Sequence, residues 1–79
     1  MTEREVYIQL TNIFREVFDD DELELRPDLS AKDVDGWDSL RHIRLILTIE
    51  KHFMQTYPAS KVSELKRVDD LVHLIRSYL

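Results

Sequence analysis

Apolar residues near the start of the chain recur at intervals of three or four positions. This spacing gathers them on one side of an α-helix and predicts an amphipathic first helix over about residues 3–18. The acidic run at residues 19–22 is then most simply a solvated helix end. The apolar members of this helix are Val6, Leu10, Ile13, Phe14, Val17 and Phe18.

The stretch from residue 19 to Trp37 has no such periodicity and is rich in turn-forming residues, among them Pro27, Asp28 and Gly36. This composition predicts a long loop, and a loop of such length in a small domain is usually functional or mobile. Trp37 is expected to anchor the loop on the core. The other expected anchors are Leu23, Leu25, Leu29 and Val34.

Helical periodicity resumes after Trp37. Asp38 or Ser39 can cap a second helix, and no Gly or Pro interrupts the chain from Leu40 to Phe53. Tyr57-Pro58 then breaks the chain. A short third helix is predicted around Val62 and Leu65, and a fourth helix is predicted from Val68, Leu71, Val72, Ile75 and Leu79.

These elements predict an all-α fold for a single domain over residues 1–79. Three main helices and the short third helix would form a small four-helix bundle, with the long loop between helices 1 and 2. No segment alternates apolar and polar residues for long, so little strand is expected. A deep, self-contained active site is not expected in so small a domain.

The second helix carries two apolar arcs when its residues are placed at 100° intervals. The first arc is wide enough to face a small core and holds Leu45, Ile46, Ile49 and Phe53. The second arc is a candidate docking surface for partners, unless the third helix or the long loop covers it. It holds Leu40, Ile43 and Leu47, bordered by the polar stripe Arg41, Arg44, Thr48 and Lys51.

Composition narrows the functional classes. A formal charge of −5 argues against binding to a phosphate backbone, and the absence of cysteine excludes disulfides, thiolate nucleophiles and thiolate metal sites. No catalytic or metal-binding residues are predicted. The first residues do not resemble a signal peptide, and no apolar run reaches membrane-spanning length. A cytoplasmic, monomeric protein without membrane insertion is therefore expected.

The segment 35–40, Asp-Gly-Trp-Asp-Ser-Leu, lies where the loop becomes the second helix. The N-terminus of a helix offers free backbone N–H groups and the positive end of the helix dipole. A phosphodiester on Ser39 would therefore be well placed.

With the acidic loop before it and the helix that follows, Asp38-Ser39-Leu40 closely resembles the motif of the acyl carrier protein family. The positions from Phe53 to Leu71 follow at the family's spacing, so the resemblance covers essentially the whole chain. It implies that Ser39 receives 4′-phosphopantetheine from coenzyme A through a phosphopantetheinyl transferase, and that Asp38 assists this transfer. It also implies acyl-loading and acyl-processing enzymes as partners.

Two features depart from the fatty-acid-synthesis members of that family. Those members usually have acidic residues along the second helix, whereas this chain has Arg41, Arg44 and Lys51. The Gly36-Trp37 pair before the motif is more similar to carriers of specialised acyl or polyketide pathways. We therefore expect a pathway of that type, with Leu40, Ile43 and Leu47 among the docking residues.

Three alternatives follow from the same residues. Ser39 could be an ordinary helix cap, and the chain could be a helical interaction module without a prosthetic group. A hydrolase is a poorer interpretation, because the segment around Ser39 is not G-x-S-x-G. His42 falls towards the core and is expected to be packed or half-buried rather than a general base.

Overall fold

The computed structural model describes residues 1–79 and contains four helices and no strand. The helices are α1 (Glu3–Val17), α2 (Ser39–Phe53), α3 (Ala59–Val62) and α4 (Val68–Ser77). The order, number and type of elements agree with the predicted four-helix arrangement. None of the four is both long enough and apolar enough to cross a membrane.

Local hydrogen bonds define both ends of α1. Thr2 caps the helix by accepting from the backbone N–H of Glu5, whose carboxylate accepts in turn from the N–H of Thr2 at 3.0 Å. These bonds to Thr2 lower the pKa of Glu5, because they favour the charged carboxylate. The helix ends at Val17, so Phe18 is its C-cap rather than its last helical residue.

The core is one cluster of 18 buried residues, all of them apolar or aromatic. α1 packs against both α2 and α4, so its apolar side forms the centre of the cluster. Of the arc of α2 that was predicted to face the core, Phe53 is only partly buried, because it lies in the last turn. The fully buried members of that arc are Leu45 and Ile49, with Ile46 almost completely enclosed.

The long loop packs on the core and is also hydrogen-bonded to the start of α4. Leu29, Val34 and Trp37 are buried, and Leu23 and Leu25 pack against the core while partly exposed. Backbone bonds also tie the loop to the start of α4, where the N–H of Val68 donates to the carbonyl of Leu29 at 2.9 Å. The loop is therefore part of the folded structure, as the predicted anchors required.

The helix directions place the two ends of the chain together. Arg41 in the first turn of α2 bonds to the carbonyl of Val17 at the end of α1, and His52 in the last turn of α2 lies 2.7 Å from the side-chain oxygen of Gln9 in α1, so these two helices are antiparallel. Glu3 at the start of α1 lies 4.0 Å from Arg76 at the end of α4. The beginning of α1 and the end of α4 are therefore at the pole opposite Ser39.

Two boundaries differ from the prediction. α3 spans only Ala59–Val62, so Leu65 lies beyond it and packs on the core from the following turn. Leu79 lies beyond α4 and is 59% exposed. The extent of the short α3 depends on its packing, and periodicity alone does not specify the last residue of a longer helix such as α4.

Candidate functional site

The N-terminus of α2 presents Ser39 to solvent. Asp38 is the cap residue, and its carboxylate accepts from the backbone N–H of Arg41 at 2.8 Å. The sequence allowed either Asp38 or Ser39 to be the cap. Because Asp38 has that task, Ser39 becomes the first helical residue, and its exposed hydroxyl is not needed for capping.

A tight turn brings the chain to this cap. The backbone N–H of Trp37 donates to the carbonyl of Val34 at 3.2 Å, and Gly36 between them has φ +85°. This combination is typical of a type II turn, which favours glycine at its third position. A Cβ at Gly36 would contact nothing within 4 Å, so the requirement for glycine is one of backbone conformation.

Trp37 fixes the turn to the core. It is buried, and its ring meets Phe14 edge-on with the centroids 5.3 Å apart. Its indole N–H donates to Nδ1 of His42 at 3.1 Å. Trp37 is thus the predicted anchor, and His42 is half-buried as expected; its burial lowers its pKa.

A groove of about 880 Å³ opens beside Ser39 between α2 and the segment that contains α3. Its α2 side includes His42, Ile46 and Glu50, which recur at one-turn intervals below Ser39. Its other side includes Val62 and Leu65. This groove could not be predicted from the sequence, because the position of the short α3 depends on tertiary packing.

The second apolar arc of α2 is uncovered. Leu40 is 76% exposed, Ile43 56% and Leu47 60%, so neither α3 nor the loop shields them. The alternative that those elements cover the arc is therefore wrong. Three large apolar side chains on one exposed helix face form a patch with the character of a contact surface.

The basic residues beside this patch, Arg41, Arg44 and Lys51, differ in their contacts. The Arg41 guanidinium is half-buried and donates to the carbonyl of Val17 at 3.0 Å, so it satisfies the C-terminus of α1. Arg44 and Lys51 are exposed, and neither forms a salt bridge. A helical wheel of α2 alone could not distinguish them, because the partner of Arg41 lies on another helix.

A known structure resembles the entire arrangement. The solution NMR structure of a holo acyl carrier protein from Geobacter metallireducens superposes with a TM-score of 0.86 and 42% sequence identity, covering 91% of this chain and 83% of that one. The chain belongs to the acyl carrier protein family. No protein-family model matches it, and no curated protein matches it.

Membership of the acyl carrier proteins confirms the predicted all-α fold and carrier role. The protein is a carrier rather than an enzyme, so the hydrolase interpretation is wrong. The alternative of an interaction module outside any carrier function is also not supported. The chain contains no group of three or more His, Cys, Asp or Glu side chains that could hold a metal ion.

Proposed function

We propose that this acyl carrier protein bears a 4′-phosphopantetheine arm on Ser39 and presents acyl thioesters to partner enzymes. The arm would come from coenzyme A through a phosphopantetheinyl transferase. The observation that supports Ser39 most directly is its exposed hydroxyl at the first position of α2, freed from capping by Asp38. Of the five serines, it is the one at the start of a long helix and within the Asp-Ser-Leu sequence.

The surroundings of Ser39 suit such a group. A phosphodiester on its oxygen would face the first turn of α2, which contains no acidic residue after the cap. The helix dipole favours an anion there by about 0.3–1 kcal/mol, so it helps the site tolerate the modification. The groove beside Ser39, with Ile46 and Val62 among its walls, offers apolar surface to the remainder of the arm or to an acyl group.

The protein's contribution to acyl transfer would be positional. When bound, the group supplies a thiol that holds the acyl chain as a thioester at the end of a flexible tether. Ser39 fixes where that tether begins, and docking of α2 on an enzyme confines the thioester near the enzyme's active site. Such confinement raises the effective concentration of the reacting group without any catalytic residue in the carrier.

The exposed arc of α2 is the proposed docking face. Leu40, Ile43 and Leu47 would make apolar contact, while Arg44 and Lys51 at the rim would guide encounter through their charge. Arg41 lies between the arc and α1 and would act chiefly by fixing the position of α2. Acyl-loading and acyl-processing enzymes with acidic or mixed-charge surfaces are the partners that this rim would suit.

We infer a specialised acyl or polyketide-type pathway. The support is the Gly36-Trp37 pair before the attachment motif and the exposed basic side chains of Arg44 and Lys51 on α2. Partners adapted to acidic carriers would meet an unfavourable charge here. Residues 1–79 would act as one carrier domain, monomeric and cytoplasmic.

Intact mass spectrometry tests the attachment site. The parent protein, incubated with coenzyme A and a broad-specificity transferase, should gain the mass of one phosphopantetheine. Ser39→Ala should keep its circular dichroism spectrum and gain no mass, while the matched control Ser60→Ala should react like the parent. A mass gain in Ser39→Ala, or none in the parent with several transferases, would contradict the proposal.

A further inference from the structure

The groove beside Ser39 is lined by two lysines that form no salt bridge. Lys32 belongs to the loop before α2, and Lys66 belongs to the segment between α3 and α4. Both residues are exposed, and neither takes part in any of the four salt bridges of the structure. Two cations from different segments therefore face the same groove without an anionic partner.

Backbone pairing places both lysines at the Ser39 end of the groove. Ser30 and Arg67 form an antiparallel bridge, which joins the segment of Lys32 to the segment of Lys66. Since α4 is about 15 Å long and ends at the pole opposite Ser39, its start, directly after Arg67, lies at the Ser39 pole. The two lysines therefore lie near the serine rather than at the far end of the groove.

The far end of the groove has the opposite charge. Glu50 follows Ser39 along α2 by about three turns, or about 16 Å, and lines the same groove. Its carboxylate accepts from the backbone N–H of Tyr57 at 2.8 Å. An anion is therefore favoured beside Ser39 and disfavoured beside Glu50. This selects a phosphodiester attached to the serine over a carboxylate at the distal end of an acyl chain.

The carboxylates closest in sequence to the two lysines have other partners. Asp33, next to Lys32, accepts from a backbone N–H at 3.0 Å and lies 3.6 Å from the Arg26 guanidinium. Asp70 accepts from the backbone N–H of Lys66 at 3.0 Å. The carboxylate that caps α2 likewise accepts from a backbone N–H. None of the three forms a salt bridge with either lysine, so both ammonium groups remain available to an anion that the polypeptide does not supply.

We propose that Lys32 and Lys66 hold the phosphodiester of the arm on Ser39 at the mouth of the groove. Charge-assisted hydrogen bonds between ammonium groups and phosphate oxygens are strong for their kind, and the covalent link keeps the phosphodiester at the lysine end of the groove. Because both lysines lie outside α2, they draw the start of the arm towards Leu65 in the groove and away from Leu40 on the docking face. This inference rests on the proposed function, since it needs the modified serine.

The two lysines act as positioning residues, and their hold on the arm is reversible. Ion pairs between exposed groups are weak and are screened by salt. The arm can therefore lie along the groove in the carrier alone and still be drawn out when an enzyme docks on α2.

NMR spectroscopy of the full chain, before and after modification, tests this arrangement. The parent is incubated with coenzyme A and a broad-specificity transferase, and intact mass confirms the product. The backbone amides of Lys32 and Lys66 should shift on modification, and the shifts should shrink between about 0.1 M and about 1 M salt, as the Debye length falls from about 10 Å to about 3 Å. At low salt the two methyl groups next to the phosphate in the arm should show NOEs to the Leu65 side chain.

A double variant and a matched control identify the lysines as the cause. Lys32→Gln with Lys66→Gln should keep the parent's circular dichroism spectrum and gain the mass of one arm, but it should lose the NOEs to Leu65 and the salt dependence. Lys61→Gln removes an exposed lysine of α3 that does not line the groove, and it should behave like the parent. The parent's NOEs and salt dependence decide the question even if the double variant does not fold.

The outcomes separate this inference from the proposed function. No mass gain in the parent with several transferases would contradict the proposed function and remove the basis of both. A parent that gains the mass but shows no NOE to Leu65 and no salt-dependent shift at the two lysines would overturn this inference alone. The same holds if the NOEs and the salt dependence persist in the double variant.

Discussion

Asp38 caps α2, and a second role in modification of the neighbouring serine is predicted for it. Its carboxylate caps the helix through the backbone N–H of Arg41, and it lies directly before the proposed attachment serine. The family resemblance predicts that it also assists transfer of the arm. A single substitution would remove both contributions, so a pair of variants is needed to separate them.

We expect Asp38→Ala to lower the free energy of unfolding by about 1 kcal/mol, because the N–H of Arg41 loses its partner. Asp38→Asn should stay close to the parent in stability, since asparagine is an equally good cap. If the carboxylate assists transfer, both variants should acquire the arm more slowly than the parent. Urea unfolding and the rate of mass gain measure the two effects. An Asp38→Asn protein that is modified at the parent's rate would show that the charge is not required.

Individual residues differ in how far the sequence could define them. The burial of Trp37 was predictable, because a large aromatic side chain in a polar loop is expected to anchor on the core. The bond from Trp37 to His42 was not, since it joins a loop to a helix whose relative position no periodicity specifies. The bond from Arg41 to Val17 could not be predicted either, because it joins two different helices.

At the scale of elements, α2 has a buried side and an exposed apolar side, and the exposed side carries unpaired cations. Reversing Arg44 and Lys51 to Glu should slow loading by a cognate enzyme, and the difference should shrink as salt screens the charges. Thermal unfolding should change little, because both side chains are exposed. Equal loading rates for parent and double variant at low ionic strength would show that this rim does not guide the partner.

Substitutions on the buried and on the exposed apolar side of the bundle should affect different properties. Those on the buried side should lower stability, and those on the exposed side should weaken docking. Leu10 is fully buried in α1, so Leu10→Ala should lower the free energy of unfolding by about 2–5 kcal/mol. Leu40 is 76% exposed on α2, so Leu40→Ala should stay within about 0.5 kcal/mol of the parent. Leu40→Ala should nevertheless weaken loading by a partner. Urea unfolding and loading kinetics of both variants test this assignment. A large loss of stability in Leu40→Ala, or none in Leu10→Ala, would contradict it.

The boundaries of the short α3 could not be predicted from its own residues. Val62 and Leu65 indicated a helix near the correct place, but only Ala59–Val62 is helical. A helix of four residues has little stability of its own, and Pro58 before it offers no side-chain cap. Packing against the groove therefore decides its boundaries, and with them the shape of the groove.

For the molecule as a whole, the fold class followed from apolar periodicity because three of the four helices bury a continuous side. Periodicity identifies the apolar side of each helix, but it does not specify the distance between helices. The exposed arc of α2 could be predicted as a candidate, while its freedom from α3 and the loop required the assembled structure. The groove beside Ser39 arises from the same assembly.

Alkaline pH should weaken the whole fold through Tyr57. Its hydroxyl donates to the Gln55 side chain, and burial, with the nearby Glu50 and Tyr78, raises its pKa from 10.0 to about 12. The neutral phenol therefore contributes stability that is complete below pH 10 and is lost as pH rises through about 12. Urea unfolding below pH 10 and close to pH 12 measures this loss.

Tyr57→Phe cannot ionise at this position, so its stability should fall less between those two pH values than that of the parent. Lysine residues that lose charge over the same interval affect both proteins alike. The comparison therefore isolates the tyrosine. Equal losses of stability in the two proteins would mean that Tyr57 stays protonated or that its ionisation is accommodated without strain.

The meeting of Glu3 with Arg76 has a practical consequence for attaching this protein to something else. A fusion partner, affinity tag or bead joined at either end would begin at the pole opposite Ser39, separated from it by the length of α2, about 22 Å. The serine and the exposed arc of α2 would then both point away from the support. Immobilised in either orientation, the carrier should remain open to soluble enzymes, which makes it suited to displayed libraries and surface-bound assays.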